Sequence, residues 1–424
     1  MAEPFPAEGL FLEEARSRVL ETIASIHATA QSKGLATELL PLKEALGRVS
    51  AQAIVAREAV PGFCASIMDG YAITDELPPE PGTHWHLVGR SAPGAPYEEV
   101  LKAGEAIRIL TGAPVPQGAR RVVPQELTTS SADGGVSHRL HLAKAAGLNA
   151  WIRSPEEEAA WGERLVEAGV RLGPAALGRL ASCGVATVTT WRLPRIGLLI
   201  SGDELVAPGN PRGPGQIWES NGTLIESLLE RLGQGVEERR VVGDQPAALR
   251  VALRELAART DVVVSTGGVS SGDSDWIRPL LEELGSVSFW KLFLKPGRPF
   301  AFGTLGGKPF FGLPGNPVAA AITALQLLWP ALQILEGLEP QTLPRLRVRL
   351  VNEVKRASGR PELARARLSV ATDGSPLALV DGSQASSRIG SLQGADLLLE
   401  IPAEAEILKA GAELWAQLLR LPIF

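Results

Sequence analysis

The amino-acid sequence predicts a multi-domain protein of the α/β plus β class, built around a central parallel α/β domain. Apolar runs alternate with helical patterns between residues 196 and 264, and this alternation is typical of parallel sheets with right-handed crossovers. An earlier segment, 52–148, and the segment after Gly337 favour strands instead. With 424 residues the chain is long enough for about three domains and several separate cores.

Hydrophobic period and Gly/Pro punctuation divide the chain into predicted regions. They are a helical, linking domain at 8–51 and 150–190, a strand-rich inserted domain at 52–149, the α/β domain at 191–337, and a small C-terminal β-barrel or sandwich at 338–424. The N-terminal helical segment is predicted from residue 11 to about 30, because Ala15, Val19 and Ile23 fall on one stripe. A second short helix is predicted at 42–50.

The α/β domain is predicted to place polar groups along one edge of its sheet. Its predicted elements are strands at 196–200, 236–242 and 262–264 and helices at 222–232 and 246–258. Ligands of such sheets gather at the carboxyl ends of the strands. Glu204, Asp244 and a glycine-rich loop each follow one of these strands, so we expect them to lie along that edge.

The glycine loop after the third strand favours a phosphate site. Gly267 and Gly268 allow positive φ and a close backbone approach, and Ser270 follows them. A strand, a glycine turn and a helix N-terminus together form an anion cradle. The loop also carries Asp273 and Asp275, which repel a bare phosphate. A hard cation such as Mg²⁺ would join carboxylates and phosphate, so we expect one here.

A cluster of cations follows about one helix later. A strand beginning at Lys291 would put Leu292 and Leu294 on one face and Lys291 and Lys295 on the other. These ammonium groups, with the nearby Arg298, suit an oxyanion. The alternative is a solvated edge strand.

A second fixed loop, at 312–317, contains Pro314 and Asn316 and leads into a helix expected to begin near Asn316. The residues that follow, 318–335, carry no charge and approach the length of a membrane span. Thr323, Gln326 and Pro330 interrupt the apolar run. We therefore predict a buried core helix, kinked or ended near Pro330.

Composition narrows the class of protein. A formal net charge of −5 and a pI near 5.8 argue against nucleic-acid or anionic-membrane partners. The two cysteines, Cys64 and Cys183, are far apart and indicate neither a disulfide framework nor a zinc site. Glu and Pro precede any apolar run at the N-terminus, so no signal peptide is expected. We expect a cytoplasmic enzyme.

Several long motifs occur in order along nearly the whole chain. They are Met68-Asp-Gly-Tyr-Ala72, Ile109-Leu-Thr-Gly-Ala-Pro-Val-Pro-Gln-Gly118, Gln125-Glu126, Gly202-Asp-Glu-Leu205, Gly215-Gln-Ile217, Ser220-Asn221, the glycine loop, Lys295-Pro-Gly-Arg-Pro299, Gly312-Leu-Pro-Gly-Asn-Pro317 and Gly359-Arg360. In these motifs the chain resembles the molybdopterin molybdenumtransferase family, which includes MoeA and the E domain of gephyrin. The α/β region accordingly resembles a molybdopterin-binding domain.

The resemblance implies a substrate of adenylylated molybdopterin plus molybdate, giving molybdenum cofactor and AMP. It implies that Asp244, Asp275 and Glu204 hold Mg²⁺, and that the lysines and Arg298 bind molybdate, with Arg360 also contacting substrate. The resemblance also implies a homodimer in which Asp69 and Thr111 act across the interface in the partner's cleft. The adenylyltransferase that supplies the substrate is a further candidate partner.

Alternatives stay open for both function and residues. One alternative function is a molybdopterin adenylyltransferase, for which a short single-domain protein is expected. Another is a non-catalytic scaffold derived from the family. The structural alternative for Asp275 is that it only caps a helix that continues to Leu284. The structural alternatives for Asp69 and Thr111 are a hairpin turn and a strand end, respectively.

Overall fold

In the computed structural model, residues 9–32, 36–133, 137–269 and 275–420 are described. They form a parallel α/β unit, strand-rich parts on its N-terminal side and a closed five-stranded barrel at the C-terminal end. The fold class expected from the sequence is confirmed, and the choice left open between barrel and sandwich falls on the barrel. The division into domains at the stated boundaries stays a prediction.

The first region begins with the expected amphipathic helix. Its elements are α1 (Leu12–Ser32), β1 (Thr37–Pro41), a 3₁₀ turn (Leu42–Glu44) and β2 (Ile54–Val55). Ala15, Val19 and Ile23 are fully buried on the inner face of α1. The helix predicted at 42–50 is wrong beyond its first turn: Gly47 adopts φ 74°, and the residues after it pair with other strands instead.

The inserted region is a sheet, as its strand-like pattern predicted. Its strands are β3 (Ala65–Ser66), β4 (Gly70–Ile73), β5 (His84–Ser91), β6 (Glu105–Ile109), β7 (Arg121–Pro124), β8 (Thr128–Asp133) and β9 (Ser137–Leu142), with a 3₁₀ turn at Gln125–Leu127. Six of them form one sheet in the order β7-β4-β6-β5-β9-β8. Trp85 is buried beneath this sheet, and its indole N–H donates to Asp75 over 2.9 Å.

The chain then returns to the first region. The elements are β10 (Ile152–Arg153), β11 (Arg164–Val166), α2 (Pro174–Ser182) and β12 (Thr187–Trp191). Three antiparallel pairs join these elements to strands before residue 67: β10 with β3, β11 with β2 and β12 with β1. The pass at 150–190 therefore contains short strands as well as the helix α2.

The α/β region carries the sheet that positions the site. Its elements are β13 (Ile196–Ser201), β14 (Leu205–Val206), β15 (Ile217–Trp218), α3 (Asn221–Arg231), β16 (Val236–Val242), α4 (Pro246–Arg259), β17 (Val262–Thr266), α5 (Ile277–Leu284), β18 (Gly285–Trp290), β19 (Ala301–Leu305) and β20 (Lys308–Leu313). The strand order is β16-β13-β17-β20-β19-β18, with β16, β13, β17 and β20 parallel. Because β19 is antiparallel to both neighbours, β18 ends at the same edge as the parallel strands.

The strand predicted to begin at Lys291 is wrong. β18 ends at Trp290, and Lys291 itself takes the left-handed φ of 78°. The alternation of burial nevertheless remains, because Leu292 and Leu294 are buried while Lys291 and Lys295 are half-buried. This segment has no regular strand ladder. It is held by single β-bridges from Leu292 to Leu10 and from Lys295 to Glu362.

The long apolar helix, Pro317–Leu335, is the one helix in the described residues that is long and apolar enough to cross a membrane. It consists of α6 (Pro317–Thr323), a π-helical turn (Ala324–Leu328) and α7 (Trp329–Leu335). In its most apolar window 78% of the residues are buried inside the protein, as a core helix requires. Pro330 cannot donate to the carbonyl of Gln326, which accepts instead from Nε of Arg16 over 3.1 Å. The helix therefore continues past Pro330.

The C-terminal region closes into a barrel. Its strands are β21 (Arg345–Leu350), β22 (Val354–Lys355), β23 (Glu362–Val370), β24 (Pro376–Leu379), β25 (Leu397–Ile401), β26 (Ile407–Leu408) and β27 (Glu413–Leu418), with a 3₁₀ turn at Ile389–Ser391. The barrel order is β21-β24-β23-β25-β27. The start of β23 lies beside the segment after β18, so the barrel forms one wall of the site described next.

Candidate active site

A cavity of about 1010 Å³ lies at the carboxyl edge of the α/β sheet, facing the C-terminal region. The segments after β13, β16, β17, β18 and β20 line it, as expected for ligand sites of parallel sheets. The opposite wall comes from Arg360 and from residues 384–387 of the C-terminal region. The cavity therefore brings together segments that are far apart in sequence.

The glycine loop forms the floor of the cavity. Gly267 and Gly268 both adopt positive φ, 91° and 62°. A Cβ on Gly267 would lie 2.6 Å from the carbonyl oxygen of Ser201, so only glycine fits this turn. The close approach predicted from the sequence is present. Ser270 and Asp273 lie outside the described residues.

Asn221, the first residue of α3, ties two loops of the floor together. Its Nδ2 donates to Oγ1 of Thr266 and to the carbonyl oxygen of Gly315, each over 2.8 Å. Pro314 and Asn316 line the cavity. Nδ2 of Asn316 donates to Oγ of Ser386 over 3.0 Å. This bond fastens the loop before α6 to the C-terminal wall.

Carboxylates line one flank of the cavity. Glu204, Asp244 and Asp275, all predicted site residues, are among its lining. Asp203 lies next to this flank, because its Oδ1 accepts from the backbone N–H of Asp244 over 3.0 Å. Burial raises the pKa of Asp244, and the negative charges of Asp203, Glu204 and Asp275 raise it further against one backbone hydrogen bond. A bound cation would relieve this repulsion.

The carboxylates are spread along the flank instead of being gathered. Within the described residues, no group of three or more His, Cys, Asp or Glu side chains is close enough to hold a metal ion by itself. Mg²⁺ commonly uses one or two carboxylates and completes its shell with water and substrate phosphates. The donor set is therefore suited to Mg²⁺ shared with a substrate.

The alternative role of Asp275 as a helix cap does not match the position of α5. The helix begins at Ile277, and Trp276 occupies the N-cap position. Asp275 thus lies one residue before the cap, at the cavity lining.

Cationic side chains line the opposite flank. Lys295, Arg298 and Arg360 are all among the lining residues. Nη1 of Arg360 donates to the carbonyl oxygen of Leu294 over 3.0 Å. Burial lowers the pKa of Arg360, and the charges of Arg298 and Arg356 lower it further. Guanidinium groups stay protonated in proteins, so the neighbouring charges of Arg298, Arg356 and Arg360 create a positive potential that favours a bound anion.

Lys291 does not share this position. It is half-buried and is absent from the cavity lining, which begins at Lys295 in this segment. The structure therefore separates the two lysines that the sequence grouped together.

Asp69 and Thr111 form a pair outside the cavity of their own chain. Both the backbone N–H and Oγ1 of Thr111 donate to Oδ1 of Asp69, over 2.8 and 2.7 Å. These two hydrogen bonds, and to a lesser degree the charge of Arg108, lower the pKa of Asp69. Asp69 directly precedes β4 and Thr111 follows β6, so the pair is a cross-strand contact at the surface.

Comparison with known proteins identifies the family. Three family models match in order: the MoeA N-terminal region (domain I and II) at residues 10–184, a probable molybdopterin binding domain at 197–334, and the MoeA C-terminal region (domain IV) at 347–419. A molybdopterin molybdenumtransferase of Haemophilus influenzae is 37% identical over 329 residues, which cover 77% of this chain and 78% of that protein. The chain belongs to the molybdopterin molybdenumtransferase family.

Further relatives agree with the family. Molybdopterin molybdenumtransferase 2 of Mycobacterium tuberculosis is 31% identical, covering 88% of this chain and 93% of that protein. A molybdopterin biosynthesis moeA protein from Pyrococcus horikoshii superposes with a TM-score of 0.77 at 25% identity, covering 97% of this chain and 100% of the other. The predictions of the family, of a transferase and of a role in molybdenum cofactor biosynthesis are confirmed. The name of these relatives, molybdopterin molybdenumtransferase, states that they transfer a metal, molybdenum.

Three residues at the site were not singled out from the sequence. Asp203 belongs to the Gly-Asp-Glu-Leu motif, so its acidity beside Glu204 was a visible signal. Glu362, the buried partner of Lys295, stands two residues after Arg360 but gave no sequence signal, since its pairing depends on the barrel docking against the segment after β18. Trp218 lies between the motifs Gly215-Gln-Ile217 and Ser220-Asn221 and lines the cavity.

Proposed function

We propose that this protein transfers molybdenum from molybdate to adenylylated molybdopterin with release of AMP, and that the cavity at the carboxyl edge of the sheet is where it does so. One observation carries the proposal. A single cavity is lined by carboxylates after β16 and β13, by the glycine loop after β17 and by cations after β18, and these strands follow in that order along the sheet. This order suits a substrate that carries a pyrophosphate in its middle and accepts a metal oxyanion at one end.

The glycine floor and the carboxylate flank account for the pyrophosphate. Gly267 and Gly268 expose backbone at the end of β17, where an anion can approach closely. Asp244 and Asp275, with Glu204, would hold Mg²⁺ between the protein and the phosphates. The bound ion would neutralise charge that develops when the phosphoanhydride breaks. The carboxylates repel phosphate oxygens directly, so the pyrophosphate would bind only where Mg²⁺ lies between it and the carboxylates.

The cationic flank accounts for molybdate. Molybdate is a tetrahedral dianion, and charge-assisted hydrogen bonds from ammonium and guanidinium groups are the usual way to bind such oxyanions. Lys295, Arg298 and Arg360 supply these donors. The molybdenum is bound by sulfur of the substrate, so the protein needs no thiolate of its own here.

Asp69 and Thr111 have a role in this proposal only if a second copy of the chain supplies them. They do not line the cavity of their own chain, yet their mutual hydrogen bonds hold an ionised carboxylate at the surface. We propose a homodimer in which this pair completes the partner's cavity. We also propose that the enzyme works in the cytoplasm, where the adenylyltransferase that supplies its substrate would be its neighbour.

Two other functions remain as outcomes of the test. A molybdopterin adenylyltransferase would consume ATP at the same glycine floor, and a scaffold would do no chemistry. The strand-rich and barrel regions give this chain much more than the single α/β unit that an adenylyltransferase needs.

The test is release of AMP by the purified protein from adenylylated molybdopterin in the presence of Mg²⁺. We expect release to depend on molybdate. ATP consumption with unmodified molybdopterin would instead identify an adenylyltransferase, and no turnover of either substrate would identify a scaffold.

A further inference from the structure

Trp218 has a half-exposed indole ring inside the cavity. The residue is 49% exposed and belongs to the cavity lining. Leaving so large an aromatic surface in water forgoes hydrophobic free energy that burial would provide. An aromatic ring at such a position is typical of a platform on which a planar ligand stacks.

The ring is fixed before any ligand binds. Nε1 of Trp218 donates to the carbonyl oxygen of Asn210 over 3.1 Å, and the guanidinium carbon of Arg212 lies 4.1 Å from the ring centroid. Arg212 covers one face of the indole by a cation–π contact, so the other face is the one open to a ligand. A ring held in one orientation loses little conformational freedom when it binds.

The backbone beneath Trp218 is fixed as well. β14 pairs with β15, with Val206 opposite Trp218. The next residue, Glu219, is buried, accepts from the backbone N–H of Gly222 over 2.6 Å and forms an ion pair with Arg239. The platform is therefore anchored to the start of α3.

Strand order places Trp218 on the carboxylate flank. The backbone N–H of Ile217, the residue before Trp218, donates to the carbonyl oxygen of Glu204 over 2.8 Å, so the two segments are neighbours. The parallel pair of β14 and β15 follows β13, whereas Lys295 follows β18 at the far edge of the sheet. Four strand spacings separate β13 from β18, roughly 19 Å at about 4.8 Å each.

The substrate of the proposed reaction has a matching order of groups. Its pterin dithiolene, which receives molybdenum, is joined through two phosphates to a nucleoside. If the oxyanion lies at the cationic flank and the pyrophosphate at the glycine floor, the nucleoside extends towards the carboxylate flank. Adenine then meets Trp218, and every base offers a π-face to such a ring.

We propose that Trp218 is the residue on which the adenine ring of the adenylylated substrate stacks. This inference rests on the proposed function for the identity of the substrate. In this assignment Trp218 binds the base of the leaving AMP. The carboxylates contribute to the phosphates and not to the base. The stack adds affinity for the nucleoside end of the substrate.

The test measures AMP binding by calorimetry with Mg²⁺ present, in the parent and in Trp218→Ala, Trp218→Phe and Trp161→Ala. Base stacking on an aromatic side chain changes affinity by between about 5-fold and about 150-fold. We expect Trp218→Ala to weaken AMP binding within that range, to leave pyrophosphate binding unchanged, and to raise KM for adenylylated molybdopterin with kcat retained. Trp218→Phe keeps a ring and should restore most of the affinity. Trp161 is 73% exposed outside this cavity, so its variant should bind AMP as the parent does.

Equal AMP affinity in Trp218→Ala and the parent would overturn the inference. An equal loss of AMP and pyrophosphate affinity would also overturn it, because the ring would then only support the β14–β15 pair. A loss for molybdopterin with none for AMP would put the pterin on the ring instead. If the parent binds AMP through Trp218 but releases none from substrate with molybdate, the proposed function fails while the stacking assignment stands.

Discussion

Nζ of Lys295 lies 3.1 Å from Oε2 of Glu362, a carboxylate whose side chain is only 3% exposed. The same oxygen lies 3.2 Å from Nε of Arg356. Glu362 thus holds two cations, of which Lys295 lines the cavity, without neutralising both. Because a buried carboxylate fixes its partners more firmly than a solvated one, Lys295 is oriented before an oxyanion arrives.

The first prediction concerns this ammonium group. Lys295→Met keeps most of the alkyl stem and removes the charge, so it should raise the molybdate concentration needed for half-maximal AMP release by about 10-fold to 100-fold. A charge-assisted hydrogen bond contributes roughly 1.5–3 kcal/mol. Lys291→Met is the matched control, because Lys291 does not line the cavity. An unchanged molybdate dependence in Lys295→Met would remove the lysine from the oxyanion site.

The second prediction concerns the carboxylate flank. Asp244→Asn keeps the shape of the side chain but weakens it as a ligand for Mg²⁺, so AMP release at limiting Mg²⁺ should fall by about 100-fold. The control is Asp261→Asn at the other end of the sheet, where Arg195 donates to Asp261 over 3.0 and 3.1 Å. That variant should lose about 1 kcal/mol of stability and keep its Mg²⁺ dependence. The same Mg²⁺ response in Asp244→Asn and in the parent would place the ion elsewhere.

The third prediction concerns pH and the junction between the first region and the α/β region. Glu336 is 1% exposed at the end of α7, with Nη1 of Arg171 at 3.0 Å and Gln234 as a hydrogen-bond donor. Burial raises the pKa of Glu336 above its ordinary 4.5, and Arg171 only partly offsets this. The folded state therefore binds the proton of Glu336 more tightly than the unfolded state does. The stability that this proton adds is fully present below pH 4.5 and is lost as the pH rises through the folded-state pKa.

Glu336→Gln should flatten this pH dependence, because the amide does not titrate. We would measure thermal midpoints of the parent and the variant from pH 4.5 upwards. The midpoint of the parent should fall relative to that of Glu336→Gln as the pH rises. A constant difference between the two curves would show that Glu336 has the same pKa folded and unfolded.

The fourth prediction concerns the source of Asp69. If Asp69 completes the cavity of a second copy, a mixture of Asp69→Asn and Asp275→Asn chains contains heterodimers in which one cavity is intact. Random pairing of equal amounts should then recover about a quarter of the parental AMP release, although each variant alone is impaired. No recovery, with heterodimers present, would mean that both residues act within one chain.

Much of the α/β region could be predicted from sequence because its signals are local. The buried run of β17, its glycine turn and the acidic residues after β13 and β16 each follow from a few neighbouring residues, and strand ends meet at one edge whatever the rest of the chain does. The helix at 317–335 was predictable for the same reason. Its polar interruptions favoured a core, and the carbonyl left free by Pro330 is satisfied by Arg16.

The errors come from long-range contacts. The segment at 291–299 has strand-like alternation, but Leu10 and Glu362 replace the regular ladder, and neither is near it in sequence. That same arrangement takes Lys291 out of the cavity while keeping Lys295 in it. The expected helix at 42–50 ended early because Gly47 turns the chain towards strands near residues 171 and 190. The predicted contribution of Asp69 to a partner's cavity stays a prediction.

The central claim is that one cavity couples AMP release to molybdenum insertion. The most direct measurement is the ratio of molybdenum in the pterin product to AMP released, with adenylylated molybdopterin, Mg²⁺ and molybdate as the only substrates and ions supplied. The account predicts one molybdenum atom per AMP, and predicts that both fall together in Lys295→Met. AMP released without molybdenum in the pterin, or equally well without molybdate, would contradict the account and leave the protein a hydrolase of the adenylylated pterin.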